Sequence, residues 1–134
     1  MKERGPVMKR MLLIGLVSAM GTMLTVTRSV AADLITVDGA KLQTMMADGK
    51  PMVIVDVREP ELFAKGHIRK AINIPYDGAK PRVLRELSPK DRIMFVCHGG
   101  PMGDELGKLL VQSGYKDVYN LAGGMREWRG EIVK

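Results

Sequence analysis

Two apolar runs, Met52–Val55 and Ile93–Val96, constrain this chain more than any other feature. Each is four residues long and has no polar position. A run that short does not make a helix, and a strand with one wet face would alternate. Both therefore read as strands covered on both faces, as in a parallel sheet between layers of helices. The segments around them fit this pattern. Leu34–Val37 is a short β-prone run, and Asp38 then caps a helical pattern through Ala47, stopped by Asp48-Gly49. Glu59–Lys65 predicts a short helix, Ala71–Ile74 a strand closed by Pro75, and Arg82–Leu87 a helix ending at Ser88-Pro89. A glycine-rich turn, Cys97–Gly103, follows the second run. It leads into a helix over Asp104–Ser113, with Leu106, Leu109 and Leu110 on one side and Gly114 as its stop. Asp117–Leu121 is the last predicted strand, followed by Gly123-Gly124 and a helix over Met125–Trp128. Strands and helices alternate over short loops, so the predicted fold class is α/β: a small parallel sheet with helices on both faces.

Residues 1–32 stand apart from that pattern. Lys2, Arg4, Lys9 and Arg10 precede an uncharged stretch from Met11 to Thr27, which ends in Arg28-Ser29-Val30-Ala31-Ala32. A basic head, a short apolar middle and a small-residue end make a secretory signal, with cleavage expected between Ala32 and Asp33. The uncharged stretch also reaches the short limit for a spanning helix, so the alternative is an N-terminal membrane anchor. Either way residues 33–134 form the folded domain and lie beyond the membrane, because the basic head stays in the cytoplasm. The expected compartment is the bacterial periplasm, with attachment to the inner membrane, facing the periplasm, if the segment is retained.

Composition removes several function classes. The formal charge is +6, but five of the 21 Lys and Arg lie in residues 1–32 against one of the 15 acidic residues. The remainder is nearly balanced and holds no basic reading helix, so no nucleic-acid partner is expected. A single cysteine excludes an internal disulfide and a multi-cysteine zinc site.

That cysteine is the candidate nucleophile. In an open parallel sheet, ligands bind beyond the carboxyl ends of the strands, and Cys97 follows the Ile93–Val96 run directly. The residues after it are His98, Gly99, Gly100, Pro101, Met102 and Gly103. Three glycines let the backbone turn tightly and point its N–H groups inward, and such a turn at a helix N-terminus cradles anions. Such a cradle is expected to favour the thiolate of a cysteine at its base, and the thiolate is the nucleophilic form. The bland alternative is an apolar residue ending a strand. The glycine turn between strand and helix favours the nucleophile.

Five segments together resemble the single-domain rhodaneses, a family of sulfurtransferases. They are Asp56-Val57-Arg58 with Glu61 and Phe63; Gly66-His67-Ile68 with Ala71–Pro75; Phe95-Val96-Cys97 with Gly100; Gly114-Tyr115 with Val118–Leu121; and Gly123-Gly124-Met125 with Trp128. They occur in order and span almost all of residues 36–130. The resemblance implies that Cys97 takes a sulfane sulfur from a small donor, holds it as a persulfide and passes it to a thiol or cyanide-like acceptor. With one cysteine the chain has no resolving thiol, so the acceptor comes from outside, and a protein acceptor is also compatible. Neither cofactor nor metal is implied, and Cys97 with His98 offers too few ligands for a metal.

The chain departs from the family in two places. Rhodaneses commonly carry Arg or Lys at the position of Met102 and Ser or Thr at that of Gly103, and Pro-Gly at that of Arg69-Lys70. No residue from His98 to Gly103 is permanently charged. The expectation is therefore that donors bind through backbone N–H groups, with Met102 facing them, and that Arg69-Lys70 is either a solvated turn or a site that attracts anionic donors or a partner. The missing Arg also argues against phosphatase or arsenate reductase chemistry. His98 could act as acid or base, pair with the thiolate, or contribute only its backbone N–H. His67 reads as a support for the loop before Ala71, Asp56 and Arg58 as a structural ion pair, and Trp128 and Phe63 as core or loop support. The alternative function is a rhodanese-like sulfur carrier or partner-binding module with little turnover.

Overall fold

The computed structural model describes residues 25–27 and 32–134. The predicted export segment therefore falls almost wholly outside the described residues. Among these, no helix is long and apolar enough to cross a membrane.

In chain order the elements are β1 (Ile35–Val37), α1 (Gly39–Ala47), β2 (Val53–Asp56), α2 (Pro60–Lys65), β3 (His67–Ile68), β4 (Ile72–Asn73), α3 (Ala79–Glu86), β5 (Ile93–Val96), α4 (Pro101–Gln112), β6 (Val118–Leu121), α5 (Gly124–Glu127) and β7 (Ile132–Val133). Five strands form one sheet in the order β1-β6-β5-β2-β4, with every pairing parallel. The two apolar runs fall in β2 and β5, which are adjacent, with Val53 opposite Ile93 and Asp56, the polar residue that ends β2, opposite Val96.

Alternation along these strands builds two cores, one on each face of the sheet. Val55 and Val57 of the β2 segment, and Ile93, Phe95 and Cys97 of the β5 segment, join one cluster with Ala79 and Val83 of α3 and Leu106 and Leu110 of α4. Ile54, Met94 and Val96 point the other way, to Leu42 and Met45 of α1 and to Trp128. A strand residue with no wet face has no polar partner to alternate with, which is why both runs are continuously apolar. The predicted α/β sheet with helices on both faces is thus the observed one. The period of two also places Cys97: it continues the inward row of Ile93 and Phe95 and is 1% exposed.

Three local expectations are corrected. Helix α4 begins at Pro101, not near Asp104, so Pro101, Met102 and Gly103 are its first turn and the free loop is only His98–Gly100. Proline's fixed φ suits a helix's first position, and glycine lowers helix propensity without forbidding it. Helix α3 begins at Ala79 and ends at Glu86, so it starts three residues before Arg82. A separate ribbon, β3 paired antiparallel with β7, was not expected. Its strands are two residues each, too short for any periodicity, and are brought together only by the folded sheet.

Candidate active site

The chain leaves β2 for β4 at one edge of the sheet, and β5 returns on the other side of β2. The order reverses between β2 and β5, and the crevice at such a reversal is where open α/β sheets hold ligands. Cys97 follows β5 there, and Val57-Arg58-Glu59 follows β2. The Val57 N–H donates to the Val96 carbonyl at 2.8 Å, so the two strand ends stay joined up to the site.

The loop wraps the sulfur with backbone. Gly100 N–H donates to Cys97 Sγ at 3.0 Å. Gly100 has φ +121, where a side chain is strained, so this position needs glycine. The N–H groups of His98, Gly99, Met102 and Gly103 have no protein acceptor among the described residues. They are free donors in the loop and in the first turn of α4, and the Gly100 N–H is the one that meets the thiol.

Three further elements hold that loop, and each involves a residue whose part the sequence did not disclose. From β6, Asn120 Nδ2 donates to the Gly100 carbonyl at 2.9 Å, while its buried Oδ1 has no partner among the described residues. From α5, Met125 N–H donates to the Cys97 carbonyl at 2.8 Å and Arg126 N–H to the His98 carbonyl at 3.0 Å. Gly124, at φ +55, lies against the Cys97–Gly99 backbone, where any Cβ would collide with it. From the end of β2, Glu59 Oε2 meets His98 Nε2 at 2.8 Å. Its own backbone N–H and the His98 ring hold the Glu59 carboxyl below the usual carboxylate range.

The expected donor-binding residues thus divide. His98, Gly99 and Gly100 form the loop. Pro101 starts α4. Met102 is half-buried and packs on the apolar cluster beneath Cys97, so it is part of the floor and does not simply face a donor. Gly103 is buried against Asn120 and Phe95, where a Cβ would meet Asn120 Oδ1, so its lack of a side chain serves helix packing. Arg69-Lys70 does not serve the loop. Arg69 pairs with Glu131, and both basic residues border a cavity of about 620 Å³ with Met46, Met52 and Trp128 on the other face of the sheet. Lys70 adopts φ +66, a conformation that glycine takes without strain.

Asp56 and Arg58 are the structural pair expected. Arg58 Nε donates to Asp56 Oδ1 at 3.0 Å and Nη2 to Oδ2 at 2.7 Å, and Nη2 also reaches the Gly66 carbonyl at 2.8 Å. Asn73 Nδ2 donates to the carbonyls of both residues. His67 Nδ1 meets the Phe63 carbonyl at 2.8 Å and its ring stacks on Phe63, so it secures the end of α2 rather than the loop before Ala71. Trp128 is buried in the second core and donates to the Glu131 carbonyl. Among the described residues no group of three or more His, Cys, Asp or Glu side chains is placed to hold a metal ion.

A parallel α/β sheet with a cysteine in a glycine loop at its reversal point, leading into a helix, defines a class of site in which a thiol lies against backbone N–H. The chain matches the Rhodanese-like domain over residues 38–131 and belongs to the single-domain rhodanese family. It is similar to a protein of Allochromatium vinosum named "Sulfurtransferase", at 33% identity over 69% of this chain and 85% of that one. It is also similar to the Bacillus subtilis "Putative sulfur carrier protein YrkF", at 36% identity over 58% of this chain but only 42% of that longer protein. The crystal structure of a rhodanese-like domain protein from Staphylococcus aureus superposes with a TM-score of 0.66 at 31% identity, covering 73% of this chain and 94% of that one.

Proposed function

We propose that the protein is an exported sulfurtransferase in which Cys97 accepts a sulfane sulfur as a persulfide and passes it to an external thiol or other thiophilic acceptor. The observation that carries this reading is the 3.0 Å bond from Gly100 N–H to Cys97 Sγ, at the mouth of a sheet reversal. With thiosulfate as donor, the Cys97 thiolate attacks the outer sulfur, the S–S bond breaks, and sulfite leaves with its electron pair. The charge that was on the thiolate is then on the terminal persulfide sulfur. The Gly100 N–H already points at the sulfur, which lowers the reorganisation that opposes the step. The apolar cluster closes the sheet side of the sulfur, and exclusion of water there strengthens each of these dipoles.

A polysulfide or a low-molecular-weight persulfide serves as donor by the same displacement, with a shorter polysulfide or a thiol as leaving group. The experiment is a donor panel on residues 33–134. A Cys97 adduct heavier by about 32 Da, one sulfur atom, is expected in the mass spectrum after donor exposure. Cys97→Ser should form no adduct and transfer no sulfur while melting within a few degrees of the parent, because the hydroxyl is a poor nucleophile without an adjacent base. Transfer by the pure serine variant would overturn the mechanism.

A second reading, a sulfur carrier with little turnover, is favoured by the YrkF name and by the absence of a permanent cation from His98 to Gly103. It predicts the adduct without sustained turnover. Export rests on the basic head, apolar middle and Val30-Ala31-Ala32 end of residues 1–32. N-terminal sequencing of the protein from cells should begin at Asp33. A membrane-held chain beginning at Met1 would support the anchor.

A further inference from the structure

We propose that Arg126 is the donor-selecting residue of this site: from α5 it supplies the fixed positive charge that the Cys97 loop lacks, and it binds the anionic end of the sulfur donor. This inference rests on the sulfurtransferase reading above.

Three observations place the charge at the loop. First, the Arg126 backbone N–H donates to the His98 carbonyl and that of Met125 to the Cys97 carbonyl, so this end of α5 is in fixed register with the loop. Second, Arg126 Nη1 lies 3.3 Å from where a methyl on Gly99 would sit. Gly99 does not have a positive φ, so its backbone does not require glycine. What its missing side chain leaves is the space beside the guanidinium. Third, that guanidinium has no carboxylate partner among the described residues, whereas Arg58, Arg69, Arg82 and Arg92 each have one. This unpaired guanidinium adds a permanent positive charge to a loop that otherwise offers neutral N–H donors, with the Glu59 carboxylate taken up by His98. A planar fork of donors suits a sulfonate or carboxylate, which it can bind through two parallel bonds.

The geometry separates two tasks that a basic loop would combine. The loop N–H groups receive the sulfur that is transferred. Arg126 receives the charged group that leaves, the sulfonate of thiosulfate or the carboxylate of an acidic persulfide. Discrimination between donors then follows the charge of the leaving end and not the sulfane sulfur, which all of them share.

The test compares thiosulfate with 2-hydroxyethyl persulfide generated in place, a donor whose leaving end is uncharged, on the protein and on Arg126→Met, Arg126→Lys and Arg129→Met. Arg126 is exposed, so its variants should fold, and melting curves check this. Arg129 is the control, a nearby cation whose Nη1 is engaged by the carbonyls of Arg126 and Trp128. The ratio of kcat/KM for thiosulfate to that for the persulfide should fall about tenfold in Arg126→Met, the low end for a charge-assisted bond because the site is wet. The fall should lie mainly in KM. Arg126→Lys should recover part of the ratio, and Arg129→Met should leave it in place. Raising ionic strength should weaken thiosulfate use in the parent more than in Arg126→Met. An unchanged ratio in Arg126→Met, or a parent that uses the persulfide and ignores thiosulfate, overturns the assignment while the sulfurtransferase reading stands. A parent that forms no Cys97 adduct with either donor overturns both.

Discussion

Two forked aspartate–arginine pairs sit at opposite ends of the sheet, one made through Nε and Nη2 and the other through Nη1 and Nη2. At the carboxyl end, Asp56 and Arg58 are buried, the aspartate completely, and their remaining polar atoms bind backbone around the site. At the amino end, Asp48 and Arg92 meet at 3.1 and 2.7 Å, with 28% of the aspartate side chain exposed. The chemistry is shared, but the surroundings give the pairs different work. The first joins β2 to the turn before β3 and holds the rim of the crevice, where water cannot replace a lost partner. The second ties the end of α1 to the residue before β5, where water can. The active-site end is therefore intolerant of change even at positions remote from the sulfur, and the other end is not.

The largest test of that contrast is Asp56→Ala. Removing one partner leaves a buried guanidinium uncompensated, and the expected loss of stability is about 3–5 kcal/mol, read by urea unfolding. A loss below 1 kcal/mol would mean that the two ends are equally forgiving.

Gly124→Ala tests the same end by volume instead of charge. A left-handed backbone and a Cβ against the Cys97–Gly99 chain together predict a loss of about 2–5 kcal/mol. Sulfur uptake should fall further than stability alone explains, because the loop itself must move. An alanine variant with parental uptake would show that α5 does not set the loop.

Lys70→Gly should act in the opposite direction. Relief of the left-handed strain at φ +66 is worth about 1 kcal/mol at most, since glycine also gains freedom in the unfolded chain. Donor kinetics should be unaffected, because Lys70 borders the far cavity. A change in thiosulfate KM would reconnect this residue with the site.

The smallest effect is at the amino-end pair. Hydrogen bonds from Arg92 and from the Lys50 N–H hold the Asp48 carboxyl at about 2, below its ordinary 3.8. A carboxyl depressed by folding contributes stability that is complete above its unfolded value and is lost as pH falls from about 4 to about 2. In Arg92→Met the Asp48 resonance should titrate closer to its ordinary value, and the acid limb of the stability curve should flatten over that window. An unshifted Asp48 titration would show that the backbone and not Arg92 holds the charge.

What could be read in the chain, and what could not, follows the range of the forces involved. Strands β2 and β5 were legible because burial on both faces leaves a local mark, an unbroken apolar run. Cys97 was legible because a strand end, a glycine turn and a helix are neighbours in sequence. Even the direction of its side chain is set by the period of two that begins at Ile93. The extent of the loop was not legible, since Pro101, Met102 and Gly103 suit a turn and a helix start equally. The role of Gly103 depends on Asn120, 17 positions away, and that of Gly124 on the backbone of Cys97–Gly99. The ribbon of β3 and β7 pairs His67 with Val133 and leaves no periodicity in either strand. Arg126 reads in the sequence as one more charge on a surface helix. Only the register of α5 beneath the loop sets its guanidinium beside Gly99. The sequence by itself determined most of the elements, their layers and the place of the single cysteine after β5, because each of these is written in neighbouring residues by burial and backbone propensity. The tertiary structure decided which distant groups hold the Cys97 loop and which guanidinium lies beside Gly99, because hydrogen bonds and steric contacts between elements depend on register that no local pattern records.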